Sequence, residues 1–242
     1  MNVIVLMAGS GKDFEERGHV YPKYFLEING QPIIQRVVES LKPLGAAMSF
    51  AIRKEDNDKA YISSSLNILS PHSHVYKVSD TTKGAVCSAL FAIDSINNDD
   101  ELLIINGDQW IKNGIDEAVN HFRSKDEEGG IIVFRSVHPR WSFVALDKDG
   151  YVNETSEKRP ISDMATAGCY YFKHGKDFVE AAFNTIRKDV NYNGSYYICS
   201  TYNELILTQK KVGVYEINWN KPVHFLYTND RQRKKLGKQY PS

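Results

Sequence analysis

The sequence predicts an α/β fold built on a mostly parallel sheet. Short continuous apolar runs alternate with segments of helical period through the first 110 residues, the pattern of right-handed strand–helix–strand crossovers. The first run, Val3 to Met7, stops at a glycine turn, as a strand buried on both faces does. Composition agrees: 42% hydrophobic and 25% charged residues in a chain of 242 fit one globular α/β domain.

The elements follow in order. After the Val3 to Met7 strand, Ile33, Ile34, Val37, Val38 and Leu41 recur at helical spacing, and Pro43 ends the pattern. Met48 to Ile52 reads as a second strand, followed by one polar helix from about Glu55 to Leu66. Val75 to Val78 is a third strand. Gly84 to Ile96 is expected as a helix with Ala85, Ala89, Leu90 and Ile93 inward. Leu102 to Ile105 is a fourth apolar run, closing in Asn106-Gly107-Asp108. The second half is less regular. Ile131 to Phe134, Phe143 to Leu146 and Tyr151 to Glu154 read as short strands, with Asp149-Gly150 as a hairpin turn. Ala167 to Phe172 is a further strand, Phe178 to Ile186 and Tyr202 to Leu207 are helical, and Val212 to Ile217 is a final strand. The segment Arg231 to Lys238 carries five basic residues and reads as a solvated helix face.

Several function classes are disfavoured at this level. Thirty Lys and Arg balance thirty Asp and Glu, so the basic excess of a dedicated nucleic-acid binder is missing. No stretch approaches the ~20 apolar residues of a membrane span. The N-terminus lacks the charged region of a signal peptide, and three scattered cysteines (Cys87, Cys169, Cys199) suggest no disulfide framework, so a cytoplasmic location is expected. Cys169 and Cys199 read as small core residues, His72-Ser73-His74 as a loop rather than a metal site, and Trp110 and Trp141 as either packing or site residues.

Four segments carry chemistry. The turn Ala8-Gly9-Ser10-Gly11-Lys12 follows a buried strand, where glycines let backbone N–H groups approach a phosphate. It is neither a P-loop, since Leu6 occupies the first glycine position and Asp13 follows the lysine, nor a Rossmann fingerprint, which needs glycine where Phe14 stands. Lys23 follows Pro22, whose ring stiffens the backbone beneath a point charge suited to phosphate. Asp108 closes the fourth apolar run, where open α/β sheets bind ligands and where one carboxylate suits Mg²⁺. Glu157-Lys158-Arg159 precedes Gly168-Cys169-Tyr170-Tyr171-Phe172, a charged loop and a glycine-containing strand able to meet a second, anionic substrate. Taken singly, each segment is equally an ordinary turn, loop or cap.

Their order and spacing together resemble the sugar-phosphate nucleotidyltransferases, which build activated sugars and related head groups. The matching segments are Leu6 to Gly11, Pro22-Lys23, Gly30-Gln31-Pro32-Ile33, Gly84-Ala85, Gly107-Asp108, Glu157-Lys158, Gly168 to Phe172, and Asn193 to Tyr197 with Tyr202 to Leu205. The resemblance covers nearly the whole chain and is to the short form of capsule and surface-polysaccharide pathways, without a hexapeptide-repeat domain. It implies a Rossmann-like α/β/α sandwich of the nucleotide-diphospho-sugar transferase type, as a single domain over 1–242 with an NTP-binding half (1–110) and an acceptor-binding half (111–242). It implies an NTP, with CTP, dTTP or UTP favoured, and a phosphorylated acceptor that is a sugar 1-phosphate or a head group of the CDP-linked kind. It implies Mg²⁺ (or Mn²⁺) on Asp108, and a homodimer is compatible with it. Leu6, Ala8, Gly9, Ser10, Gly11, Lys12, Lys23, Gly84 and Asp108 are then the expected NTP ligands, with Lys23 and Asp108 catalytic. Glu157, Lys158, Gly168 and Tyr197 are the expected acceptor ligands. A phosphate nucleophile is already anionic near neutral pH, so positioning and charge neutralisation suffice and no general base is called for.

The chain departs from the family pattern at three places. Asp13 stands where the family carries arginine, with Lys12 or Arg17 as nearby cations. Tyr24 replaces the proline after Pro-Lys, and Val223 to Asp230 has no carboxylate at the expected place, with His224, a poor Mg²⁺ ligand, nearby. These departures keep open a non-catalytic nucleotide-binding protein on the same fold. A related glycosyltransferase is the other alternative, although Asp108-Gln109-Trp110 lacks the Asp-x-Asp of that class.

Overall fold

The computed structural model describes residues 1–9, 11, 16, 20–79 and 82–217, and the backbone of 225–227. Ser10, Lys12, Asp13, Phe14, Arg17, His224 and the basic segment Arg231 to Lys238 lie outside the described residues. Strand β1 (Asn2–Met7) is followed by a 3₁₀ turn at Lys23–Phe25, a small hairpin of β2 (Glu27–Ile28) and β3 (Gln31–Pro32), and helix α1 (Ile33–Leu41). Then come β4 (Ala47–Arg53), α2 (Lys54–Ala60), α3 (Ile62–Leu69), β5 (His74–Val78), α4 (Ala85–Ala89), α5 (Ile93–Ile96) and β6 (Leu102–Asn106). The second half contains β7 (Gln109–Ile111), α6 (Ile115–Ser124), β8 (Gly129–Arg135), β9 (Ser142–Leu146), β10 (Val152–Glu157) and β11 (Met164–Phe172). It ends with α7 (Gly175–Arg187), α8 (Ile198–Leu207), β12 (Val212–Glu216) and β13 (Phe225–Tyr227).

One nine-stranded sheet organises these elements. Strands β6, β1, β4 and β5 lie side by side and parallel. Their side chains alternate between two apolar layers: Val3, Val5 and Met7 face one, and Ile4 and Leu6 the other. That double burial is why β1 is written as an unbroken apolar run. Helices α1 and α6 cover the first layer, and α4, α7 and α8 the second, giving the α/β/α sandwich. All five periodic residues of α1 are buried, each contributing about 1.5–3 kcal/mol by removal from water.

Strand β11 runs antiparallel to its neighbours and divides the sheet. Along one edge it pairs with β6 from Cys169 to Phe172, and with β9 at Met164 and Ala165. Between these two partners, around Gly168, the ladder with β8 also shifts register. The sheet therefore forks at Gly168, one branch continuing through β6, β1, β4 and β5 and the other through β9 and β10. The free edge of β10 is closed at Thr155, where the Asn203 carboxamide accepts from the backbone N–H at 2.8 Å and donates to the C=O at 3.0 Å.

Two expectations are corrected and two further elements are added. The single polar helix from Glu55 to Leu66 is two helices, because Tyr61 adopts a left-handed backbone (φ 50°) between them. The Gly84 to Ile96 helix is broken by a 3₁₀ turn at Leu90–Ala92, and its buried face is Val86, Ala89, Ala92 and Ile96, with Ala85, Leu90 and Ile93 half-buried. Helix α6 went unread although Ile115, Ala118, Val119 and Phe122 are its buried stripe. Strand β7 also went unread, since it is three residues long and pairs with distant β13. Among the described residues no helix is long and apolar enough to cross a membrane.

Candidate active site at the fork of the sheet

The four parallel strands end on one rim, and their C-terminal residues surround a chamber of about 680 Å³. Leu6, Ala8 and Gly9 come from β1 and its turn, Arg53 from β4, Gly84 and Ala85 from beyond β5, and Asn106 and Asp108 from β6 and its turn. A second chamber of about 370 Å³ opens in the fork, lined by Ser142 of β9, Glu157 of β10, Lys158, and Thr166, Gly168 and Tyr170, which alternate along β11. Gly9, Lys23, Ala85, Asn106, Asp108 and Tyr197 border both chambers.

At that border Lys23 and Asp108, far apart in sequence, form an ion pair with Nζ–Oδ2 of 2.6 Å, their side chains 20% and 12% exposed. Lys23 is delivered by the 3₁₀ turn that Pro22 starts, and Asp108 by the turn between β6 and β7. Gly107 keeps this turn close to β1: its N–H donates to the Leu6 C=O at 2.9 Å, and a Cβ there would lie 2.6 Å from Met7 Cγ. Tyr24 is buried under Lys23, whose Nζ is 5.3 Å from the ring centre. Burial pushes the Tyr24 hydroxyl up to about 12, with the Lys23 ammonium acting the other way, so it remains a neutral phenol at physiological pH.

The expected site residues therefore converge, with two refinements. Leu6, Ala8, Gly9, Lys23, Gly84 and Asp108 line the larger chamber, and Glu157, Lys158, Gly168 and Tyr197 the smaller. Gly11 instead borders an adjoining recess with Val20 to Tyr24, Arg53, Asp56 and Lys59. The two cleft glycines also serve the protein itself. Gly84 has φ +100°, and a Cβ on it would lie 2.6 Å from both the N and the O of Tyr196. Gly168 has φ +66°, and a Cβ there would overlap Gln109 Oε1, which accepts from Asn106 Nδ2 at 3.1 Å.

The charges of the smaller chamber are individually held. Ser142 Oγ donates to Glu157 Oε2, and burial raises the Glu157 carboxyl above its ordinary range. Lys158 Nζ donates to Tyr197 Oη at 3.3 Å. Burial opposes the Lys158 charge, but Tyr197 and Glu157 more than offset it, so its ammonium titrates above its usual value.

Asn106, Gln109, Ser142 and Arg53 are site residues that motif reading left unassigned. Asn106 and Gln109 flank the Gly-Asp pair, so their position at a strand end was the available signal. Arg53 is held by Asp56 through Nε at 2.9 Å and through its terminal nitrogen. Trp141 lines the smaller chamber under Arg140, whereas Trp110 packs beneath Arg36 in the core. Cys169 and Cys199 are buried, with thiols pushed well above their usual range by burial, and no group of three metal-ligating side chains occurs among the described residues.

Comparison with known proteins agrees with this geometry. The chain is 31% identical over 176 residues to the bifunctional sugar-1-phosphate nucleotidylyltransferase/acetyltransferase of Sulfurisphaera tokodaii, covering 70% of this chain and 40% of that protein. It is 26% identical over 180 residues to the low-salt glycan biosynthesis nucleotidyltransferase Agl11 of Haloferax volcanii, covering 71% and 49% respectively. The chain thus spans about half or less of the length of these curated relatives. The nucleoside-diphosphate-sugar pyrophosphorylase of Vibrio cholerae RC9 superposes with a TM-score of 0.84 over 99% of this chain and all of its own, at 22% identity. HddC from Yersinia pseudotuberculosis, solved with GMP-PN, gives 0.65 over 99% of each chain at 18% identity. These likenesses establish the nucleotide-diphospho-sugar transferase fold. With the Nucleotidyl transferase family model matching residues 2–211, the chain belongs to that family.

Proposed function

We propose that the protein transfers a nucleotidyl group from an NTP to a phosphorylated acceptor, a sugar 1-phosphate or related head group, and releases pyrophosphate. The carrying observation is the pair of chambers that share Lys23 and Asp108. One substrate on each side brings its phosphate to that border. An acceptor phosphate oxygen forms a bond to the α-phosphorus, the bond from that phosphorus to the bridging oxygen of the β-phosphate breaks, and the electron pair leaves with pyrophosphate.

The residues supply charge and geometry. Lys23 and Asp108 are each other's counter-ion. On NTP binding the Lys23 ammonium turns to the α-phosphate and the leaving pyrophosphate, where a preorganised cation is worth most. Asp108, largely buried and facing the triphosphate side, fits Mg²⁺, which takes one or two carboxylates and completes its shell with phosphates and water. Bound there, the ion would neutralise triphosphate charge. The backbone at Gly84 and Ala85 meets the base, with CTP, dTTP and UTP the favoured substrates. Lys158 binds the acceptor phosphate, while Glu157, Gly168 and Tyr197 frame the sugar. A product destined for capsular or surface polysaccharide belongs to this reading, and the glycan-biosynthesis name of the Haloferax volcanii relative is in keeping with an activated sugar as the product.

The test is pyrophosphate release across five NTPs and a panel of sugar 1-phosphates with Mg²⁺, with the nucleotide product identified by mass. One favoured pair, silenced by Asp108→Asn, is the expected result. Hydrolysis or transfer from a ready-made nucleotide sugar without pyrophosphate chemistry would move the protein to the glycosyltransferases. Nucleotide binding without turnover on the whole panel would make it a binding protein.

A further inference from the structure

We propose that Tyr192, which lines neither chamber, is a positioning residue: together with Tyr197 it holds the Lys158 ammonium where an acceptor phosphate must meet it, an inference that rests on the acceptor role of Lys158 given above.

Lys158 is a demanding residue to place. Its backbone is left-handed (φ 54°), a conformation that side chains beyond Gly, Asn and Asp seldom take. Its N–H donates to the Trp141 C=O at 3.0 Å, which fixes the start of the side chain but not its flexible four-carbon stem. The far end is fixed by aromatic rings. Nζ lies 5.1 Å from the ring centre of Tyr192 and 5.2 Å from that of Tyr197, within the range at which a cation is drawn to a ring face. The two rings meet edge to face at 6.5 Å and 73°, so the ammonium rests in the angle between them.

Tyr192 is itself anchored. Its N–H donates to the Ser195 C=O at 3.0 Å and its C=O accepts from the Ser195 N–H at 3.1 Å, closing a turn whose middle residues Asn193 and Gly194 are both left-handed. Asn191 Oδ1 accepts from the Gly194 N–H at 2.9 Å. The same turn is fastened to the nucleotide side, since the Tyr196 N–H donates to the Lys83 C=O at 2.9 Å and its C=O accepts from the Val86 N–H at 3.1 Å. Tyr192 therefore reaches Lys158 from a rigid base that also grips both sides of Gly84.

The experiment compares Tyr192→Phe, Tyr192→Leu and Tyr192→Gln in the wild-type and Lys158→Met backgrounds. Phe keeps the ring and is expected to behave as wild type. Leu and Gln should raise the acceptor KM about three- to tenfold, the scale of a partly desolvated cation–π contact, with the NTP KM unchanged. In Lys158→Met the same changes should add nothing. A second readout needs no activity: amine acylation followed by peptide mass spectrometry should show Lys158 reacting several-fold faster in the Leu and Gln variants, with other lysines unaltered. An equal KM effect in the Lys158→Met background, or unchanged Lys158 labelling, would overturn the proposal. A wild-type protein that releases no pyrophosphate from any pair defeats the proposed function, and labelling still decides the role of Tyr192.

Discussion

The two branches of the sheet build their halves of the cleft by different means. The parallel branch works with strand ends: Leu6, Ala8, Arg53 and Asn106 sit at or just past a C-terminus, and Gly84 in the loop that follows β5. The antiparallel branch works with a strand face: Ser142, Glu157, Thr166 and Tyr170 project side chains from β9, β10 and β11, with Gly168 leaving space between the last two. Parallel strands all finish on one rim, so turns gather there regardless of side chain. Antiparallel strands put every second residue on one face, so selectivity is written in individual side chains. The chamber at the strand ends is accordingly the more generic and the chamber in the fork the more individual.

The largest test of this contrast lies where the branches meet. Lys23→Met removes the cation shared by both chambers and should lower pyrophosphate release by about 10²- to 10³-fold, measured as kcat on the best substrate pair. A loss confined to the KM of one substrate would assign Lys23 to a single branch.

Substituting the two cleft glycines separates the branches. Gly84→Ala sets a Cβ against the immovable backbone of Tyr196 in a left-handed conformation, and should cost about 3 kcal/mol, or roughly 6–12 °C in Tm. Gly168→Ala meets the ends of two flexible amides, Gln109 and Asn106, so about 2 kcal/mol is expected, with acceptor binding weakened more than NTP binding in calorimetric titrations. Gly30 shares the left-handed backbone (φ +75°) with open space around it, and Gly30→Ala should cost only about 1 kcal/mol. Equal melting losses at all three would mean that backbone strain alone, without crowding, sets the cost.

The smallest effect lies at the end of the sheet away from the cleft. Glu127 is 2% exposed, and its Oε2 has no hydrogen-bond partner among the described residues. Burial raises its carboxyl above the ordinary 4.5, so the folded chain holds that proton more tightly than the unfolded chain does. Its penalty is therefore absent below about pH 4.5 and grows as pH rises through the raised value. Glu127→Gln should raise Tm by about 2–4 °C at pH 7.5 and by nothing at pH 4, read by calorimetry at both.

The parallel branch was legible in the amino-acid sequence because burial on both faces writes β1, β6 and the second half of β4 as apolar runs that need no partner to be recognised, whereas the edge strand β5 keeps His74 and Lys77 exposed. The glycine turn and Asp108 were legible because they follow the ends of β1 and β6, and Lys23 because it follows Pro22. The fork was not, since it depends on which neighbour β11 chooses at each residue, and Gly168 alone does not say so. The Lys23–Asp108 pair and the Tyr192–Lys158 contact join residues distant in the chain, which no local pattern encodes. Helix α6 carries a 3-4-7 spacing at Ile115, Ala118, Val119 and Phe122, a local signal legible in the amino-acid sequence itself.

The carboxamide of Asn203 on Thr155 bears on how copies of this protein behave in company. An open sheet ends in strands whose free amides and carbonyls attract any extended chain, including that of a neighbour. At Thr155 both groups already have a partner, so the place where a foreign strand would begin to zip is taken by one side chain. Asn153 and Glu154 beside it are exposed, and the ladder is irregular at that point. One asparagine side chain, outside the lining of both chambers, thus occupies that edge at the point where a neighbour's strand would pair.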